Sequence, residues 1–314
     1  MQRSFTAGRH CGIPLEACLA LLAVTVLILG SCANAPDLVP KGHRPAPLPE
    51  EVASFATNGT VHYTIDRRQF TSQYGCTVQF ELYQPEPADS HVAVILTHGF
   101  TRDLSNTRGW ARLWASRGII VATPSLCNST LLNGHHDRNA EDMQALARIL
   151  EKRGIAERFI YAGHSAGGLS ALLAAREDTQ AVAYLGLDAV ESGGLTRSGH
   201  AQSLPKLFLA GDPSPCNADN NMIAAVPDSD QTTKLRVPFS RHCQFEWPTD
   251  PQCVALCGEI TPAETSKRVE RTIRSVATAW IELHAGDSIS AERIREDMDE
   301  VMRKLLEGAN LSEY

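Results

Sequence analysis

The chain has 314 residues, 43% of them hydrophobic and 21% charged, with a formal net charge of −7. That composition is globular and supplies enough apolar residues for one substantial core. An acidic balance with no basic stripe and no RNA-binding signature argues against nucleic acid as a partner and says little about a small-molecule substrate.

Arg3, Arg9 and His10 precede an uncharged apolar run over residues 17–29. The run is too short to span a bilayer comfortably and suits the apolar region of an export signal. Leu29-Gly30-Ser31-Cys32 resembles a bacterial lipobox, in which Cys32 is lipidated and becomes the mature N-terminus. Ala33-Asn34-Ala35 offers a competing cut, but Pro36 follows it directly and disfavours cleavage there. Residues 1–31 are therefore expected to be a lipoprotein-type signal, with a plain secretory signal or an uncleaved anchor as alternatives. Each of these places the folded domain outside the cytosol. It would be a periplasmic or cell-surface lipoprotein, with the membrane as partner through the lipid on Cys32, or a secreted protein. Residues 32–57 are Pro-rich without an apolar period and read as an extended, mobile tether. Residues 58–314 are left as the folded domain.

Of the nine cysteines, Cys11 and Cys18 leave with the signal and Cys32 carries the lipid. Cys76, Cys127, Cys216, Cys243, Cys253 and Cys257 remain, an even number that suits disulfides in an oxidising compartment. The last four are expected to pair among themselves. His242, Cys243, Cys253 and Cys257 can be drawn as a zinc set, but their spacing matches no common zinc module, and no metal is expected.

Along the chain, residues 59–70 and 76–84 alternate apolar and polar, with a turn at 72–75, and read as an antiparallel edge hairpin. Residues 91–97 form a buried strand that ends in His98-Gly99-Phe100-Thr101, where His98 is read as a packing or hydrogen-bonding residue. A helix over 110–116 and a strand over 118–123 follow. Residues 127–139 read as a solvated loop near a pocket rim, and His135, His136 and Asp137 within it lack a third ligand for a metal. Residues 140–153 carry Met143, Leu146, Ile149 and Leu150 on one helical face. Strands are expected in the short apolar run from Phe159 up to the turn that begins at Gly163, at 181–187 ending in Asp188, and at 204–210 ending in Gly211-Asp212. Residues 213–238 are polar and read as an irregular wall over the site. Thr261-Pro262-Ala263-Glu264 opens a long helix with Val269, Ile273, Val276 and Trp280 inward, and a charged amphipathic helix closes the chain. Strands alternating with helices predict an α/β fold: a mostly parallel twisted sheet with helices on both faces and no large cap domain.

Gly163-His164-Ser165-Ala166-Gly167 sits between a strand-like and a helix-like run and matches G-x-S-x-G, the nucleophile elbow. Side chains two positions either side of the serine would collide with the strand and helix it joins. The corner aims the Ala166 N–H at a developing oxyanion, and Phe100, on the loop after strand 91–97, is expected to supply a second N–H. A serine hydroxyl needs a base within hydrogen-bond reach, and the base needs an orienting carboxylate, in the chain order Ser, acid, His. His242 meets the order rule; His200 precedes the last acid-bearing strand and His284 sits at a helix end. Asp212 is the expected acid, with Asp188 as the alternative.

Gly99-Phe100-Thr101, Trp110, Ala115-Ser116, Gly118, the elbow with Gly168, Asp212 and His242 resemble the secreted polyester hydrolases and cutinase-like lipases of bacteria and the wider dienelactone-hydrolase, acetylhydrolase and chlorophyllase group. The similarity covers roughly residues 59–284. The resemblance implies an α/β-hydrolase fold and a serine esterase with a Ser165, His242, Asp212 triad, an oxyanion hole at Phe100 and Ala166, and no cofactor. It also implies a small-molecule or lipid-like ester as substrate. The same nucleophile would serve an acyltransferase or a lactone or amide hydrolase, and the fold would serve a lipoprotein that binds an apolar ligand without catalysis. Two features depart from the polyester hydrolases. Asp188-Ala189-Val190-Glu191 stands where they carry a substrate-clamping Trp, and the Cys243 and Cys253/Cys257 pattern is unlike theirs. Gly186-Leu187-Asp188 resembles the acid position of the chlorophyllases and keeps Asp188 open.

Overall fold

The apolar runs become strands, and their alternating side chains divide between two cores. The computed structural model describes residues 46–87, 91–129, 133–197, 203–258, 261–286 and 288–314. The expected signal, the lipidation position Cys32 and the first part of the tether lie outside the described residues, as does His200.

The strands are β1 (His62–Thr71), β2 (Thr77–Glu86), β3 (Val92–Thr97), β4 (Ile120–Pro124), β5 (Arg158–His164), β6 (Ala181–Leu187), β7 (Lys206–Ala210), β8 (Thr232–Arg236) and β9 (Ser312–Glu313). They form one open sheet in the order β1-β2-β4-β3-β5-β6-β7-β8-β9. β1 and β2 are the expected antiparallel hairpin, and β2 lies antiparallel on β4. From β4 to β8 all pairings are parallel, and β9 closes the far edge antiparallel to β8. Every residue of β3, β4 and β7 is buried, as befits parallel strands covered on both faces.

The helices are α1 (Glu50–Ser54), α2 (Arg108–Ala115), α3 (His136–Lys152), α4 (Ala166–Glu177), α5 (Asn221–Ala225), α6 (Pro251–Cys257), α7 (Ala263–Ala285) and α8 (Ser288–Glu307). Val94, Leu96, Ile160 and Leu185 face a core shared with Trp110 and Trp114 of α2 and Ile273 and Val276 of α7. Ala93, Ile95, Tyr161 and Tyr184 face the opposite core, with Met143 and Leu146 of α3 and Leu169 and Leu172 of α4. The period of two along each strand sorts its side chains between the two layers.

Three expectations are corrected. The tether does not extend to residue 57: residues 50–54 form α1, whose Val52 is fully buried in the core with Trp114. The helix expected from residue 140 begins at His136. The segment 213–238 is not irregular throughout, because it holds α5 and the parallel strand β8, which escapes a search for apolar runs because only Leu235 of it is buried.

Disulfides join Cys76 to Cys127, Cys216 to Cys257 and Cys243 to Cys253, so the last four cysteines do pair among themselves. Such bridges suggest an oxidising environment. Among the described residues no helix is long and apolar enough to cross a membrane.

Trp114 is fully buried, and its indole N–H donates to Thr278 Oγ1 at 3.1 Å, tying α2 to α7. Trp114→Ala should lower the unfolding free energy by about 3–5 kcal/mol in urea titration, and Trp114→Phe by clearly less.

Candidate active site

Six parallel strands, β3 to β8, end on one edge of the sheet, and polar residues that follow several of them meet there. At the end of β5 the chain turns so tightly that a Cβ on Gly163 would lie 2.4 Å from the Gly167 backbone, and one on Gly167 would lie 2.2 Å from the His98 carbonyl oxygen. Only glycine fits at either place. Between them Ser165 is held at φ 53° and ψ −124°, a conformation that L residues rarely adopt. The neighbouring loop pins it: Ser165 N–H donates to Leu187 O at 3.1 Å, and Val190 N–H donates to Ser165 O at 3.1 Å.

His242 arrives from the other side, at the start of the 3-10 turn His242–Phe245 that follows β8. Its Nε2 lies 3.0 Å from Ser165 Oγ and its Nδ1 lies 2.6 Å from Asp188 Oδ2. With the proton on Nδ1, the ring donates to the carboxylate and accepts from the serine hydroxyl. Ser165, His242 and Asp188 are 8%, 5% and 1% exposed. Asp188 Oδ1 also accepts the Gly211 N–H at 2.8 Å.

The expected acid, Asp212, is not the partner of His242. Its carboxylate accepts the Phe239 N–H at 3.0 Å, and its own N–H donates to Ser240 O at 3.2 Å, so it braces the loop that leads to His242. Burial pushes its carboxyl above the usual value. Sheet order is the physical reason. β6 pairs directly with β5, with His164 opposite Leu187, so the residue after β6 stands beside Ser165; β7 lies one strand further out.

The loop after β3 passes over the serine. A Cβ on Gly99 would lie 3.2 Å from Ser165 Cβ. Among the described residues the N–H groups of Phe100, on this loop, and of Ala166, at the first turn of α4, have no acceptor. These N–H groups belong to the residue after Gly99 and the residue after Ser165.

Two further histidines pack here without a carboxylate hydrogen bond. His164 lies with its ring 4.6 Å from that of His242, and its Nε2–H donates to His242 O at 3.1 Å. Its Nδ1 is buried without a hydrogen-bond partner, 3.7 Å from Glu246 Oε1. Burial, reinforced by His242, pushes the His164 pKa well below the usual 6.5, so this ring is neutral. Burial raises the Glu246 carboxyl, against the Arg102 guanidinium, whose Nε donates to it at 2.9 Å. His98 takes the packing and hydrogen-bonding part anticipated for it: its Nε2 accepts the Leu126 N–H at 2.9 Å and its Nδ1–H donates to Gly99 O at 2.8 Å. Burial pushes its pKa down to about 4.

The metal-like groupings dissolve. The sulfurs of Cys243, Cys253 and Cys257 are all in disulfides and carry no thiolate. His136 is not a solvated rim residue; it is buried against α4, its Nδ1 3.5 Å from Ser170 Oγ. A cleft of about 880 Å³ is lined by Thr101, Arg102, Arg108, Arg112, Trp247 and Asp250 among others, and not by Ser165 or His242. A smaller one of about 410 Å³ runs along His98, Gly99, Phe100, Leu126 and Ser129, beside the free Phe100 N–H. Sequence reasoning missed Gly211 and Asn217 as partners of Asp188, since one acts through its backbone and the other sits in a polar stretch with no motif.

No family model matches the chain, and no curated protein matches it.

Replacing Ser165 by Gly should relieve the backbone, so Ser165→Gly should be more stable than Ser165→Ala by about 1 kcal/mol in denaturant titration. From pH 6.5 down to about 4, the unfolded chain takes a proton at His98 that the folded chain refuses. Stability should therefore fall as pH drops through that window, and His98→Gln should flatten the fall in a pH series of melts.

Proposed function

We propose that the protein is a serine hydrolase of the α/β-hydrolase type that cleaves carboxylic esters through an acyl-enzyme. One observation carries this: a single imidazole is hydrogen-bonded on one side to a hydroxyl held on a strained strand-to-helix corner and on the other to a buried carboxylate. The strand order, with an antiparallel start and parallel pairings from β4 to β8, supports the same fold type.

Ser165 Oγ attacks the ester carbonyl while His242 Nε2 takes its proton. The imidazolium that forms donates from Nδ1 to the ionised Asp188, which holds the tautomer and stabilises the charge. The carbonyl oxygen, now negative, accepts from the N–H groups of Phe100 and Ala166. The tetrahedral intermediate collapses, His242 protonates the departing alkoxide, and the acyl group stays on Ser165. A water then loses its proton to His242, attacks the acyl carbon and releases the acid, which restores the serine hydroxyl. A neutral His164 matters here, because a second positive ring packed on His242 would oppose the imidazolium. The chemistry draws on side chains and backbone alone. The substrate is a small-molecule or lipid-like ester, met outside the cytosol. The three disulfides favour export, with Cys32 as the lipid anchor or with the domain released.

The mature domain should label with a fluorophosphonate on Ser165 and hydrolyse p-nitrophenyl esters. Ser165→Ala should lose both. Asp188→Asn should lower kcat by about 10⁴-fold, the loss expected when the base is left in the wrong tautomer, while Asp212→Asn keeps kcat within about threefold. Turnover by pure Ser165→Ala protein would sink the proposal.

A further inference from the structure

The Asp188 carboxylate has a further donor that the triad itself does not require. Asn217 is fully buried, and its Nδ2 lies 3.3 Å from Asp188 Oδ1 and 3.2 Å from Oδ2. The same nitrogen lies 2.9 Å from Asp212 O. A carboxamide has two N–H bonds, so one serves the carboxylate and the other the loop after β7. Its oxygen is also used, accepting the Ser214 N–H at 2.8 Å and the Asn220 N–H at 3.3 Å. Asn217 thus cross-links the loops that leave β6 and β7, with every polar position of its side chain engaged.

The backbone around it is unusual. Ala218, Asp219 and Asn220 follow with φ of 49°, 52° and 59°, three successive left-handed residues without a glycine. Such a run is disfavoured for L residues and persists only where the surroundings over-determine it. Here Asp219 N–H donates to Ser214 O at 2.9 Å, and Asn220 Nδ2 donates to Gly211 O at 2.9 Å. Cys216, the residue before Asn217, is bridged to Cys257 of α6. Strain, full burial and a covalent tie all converge on the presentation of one carboxamide to one carboxylate.

We propose, resting on the hydrolase reading above, that Asn217 is the positioning residue of the triad acid. Its N–H prevents the carboxylate from turning Oδ2 away from His242 Nδ1, and the left-handed turn exists to hold it there. Gly211 N–H and His242 each engage one carboxylate oxygen; among the described residues only Asn217 reaches both. The titratable groups around the pair are His242 on Oδ2, with His164 behind it, and Asp212, whose field comes from Arg236 and Arg241. Tyr314 adds its hydroxyl, 3.3 Å from Gly211 O.

The test uses the mature protein with p-nitrophenyl acetate, and fluorophosphonate labelling of the wild type as reference. Asn217→Ala should lower kcat by about 10–100-fold with KM within about threefold, the loss that a misplaced reacting group brings. Asn217→Asp keeps the shape. Its introduced carboxyl can donate to Asp188 only while it holds a proton, so the activity of this variant relative to wild type at the same pH should be highest at acid pH and fall progressively as pH rises. A residue that merely closes the loop would give no such reversed limb. If Asn217→Ala fails to fold by near-ultraviolet circular dichroism, the isosteric Asn217→Asp decides. A folded Asn217→Ala with kcat within twofold of wild type, or an Asn217→Asp pH profile parallel to wild type, overturns the proposal. A wild type that takes no label on Ser165 overturns the hydrolase reading, and this proposal with it; labelled wild type with an unaffected Asn217→Ala overturns this proposal alone.

Discussion

A carboxylate that is 1% exposed must be met by donors, because burying an unpaired charge costs several kcal/mol or more. Asp188 is that carboxylate, and the edge of the sheet is arranged around it. Gly211 N–H comes from the end of β7, the Asn217 carboxamide from the strained turn beyond it, and His242 from the loop after β8. Asp188 itself sits at φ 45°, with its N–H donating to Leu209 O at 2.8 Å. Donors that lie 23, 29 and 54 residues along the chain from Asp188 are brought to one point because one buried charge needs all of them.

The elbow is the second constraint, and it is steric. Backbone meets backbone where Gly163, Gly167 and His98 converge, and this closeness leaves Ser165 no other conformation. Three histidines then share the space around the serine. Burial keeps His98 and His164 neutral, and each ring is occupied with backbone groups. His242 alone has a carboxylate on its ring nitrogen at hydrogen-bond distance and a hydroxyl on the other. Identical side chains are thereby sorted into different chemistry by their neighbours.

The stretch from Gly211 to Gly258 supplies much of this scaffold although it is poor in regular structure. It holds β8, short helices and turns rather than long elements, and two disulfides, Cys216–Cys257 and Cys243–Cys253, begin and end in it. Cys243 directly follows His242 and Cys216 directly precedes Asn217. Segments poor in regular structure keep more freedom, and cross-links restrict it by limiting the unfolded chain. Covalent ties here add to the core contacts of Met222, Leu235, Val237 and Phe245.

Much of the architecture was legible in one dimension. Continuous apolar runs marked β3 to β7, because a strand covered on both faces has no polar side to interrupt it. The glycine spacing marked the elbow, because the contact it permits lies within five residues, and the even set of six cysteines from Cys76 to Cys257 marked the disulfides. β8 and the start of α3 were missed because a single buried Leu235 and a polar helix N-terminus leave no periodic signal. The carboxylate partner of His242 was the instructive case. Asp188 and Asp212 both follow a strand and both precede His242, so chain order cannot separate them. What separates them is lateral: β6 lies against β5 and β7 does not, which puts Asp188 within reach of the histidine and turns Asp212 to the loop at Phe239. The sequence by itself determined which residues stand at the ends of the apolar strands β3, β5, β6 and β7, since that is a property of local runs. Only the tertiary structure decided which strand ends are neighbours, since sheet order arises from packing between segments that the chain keeps far apart.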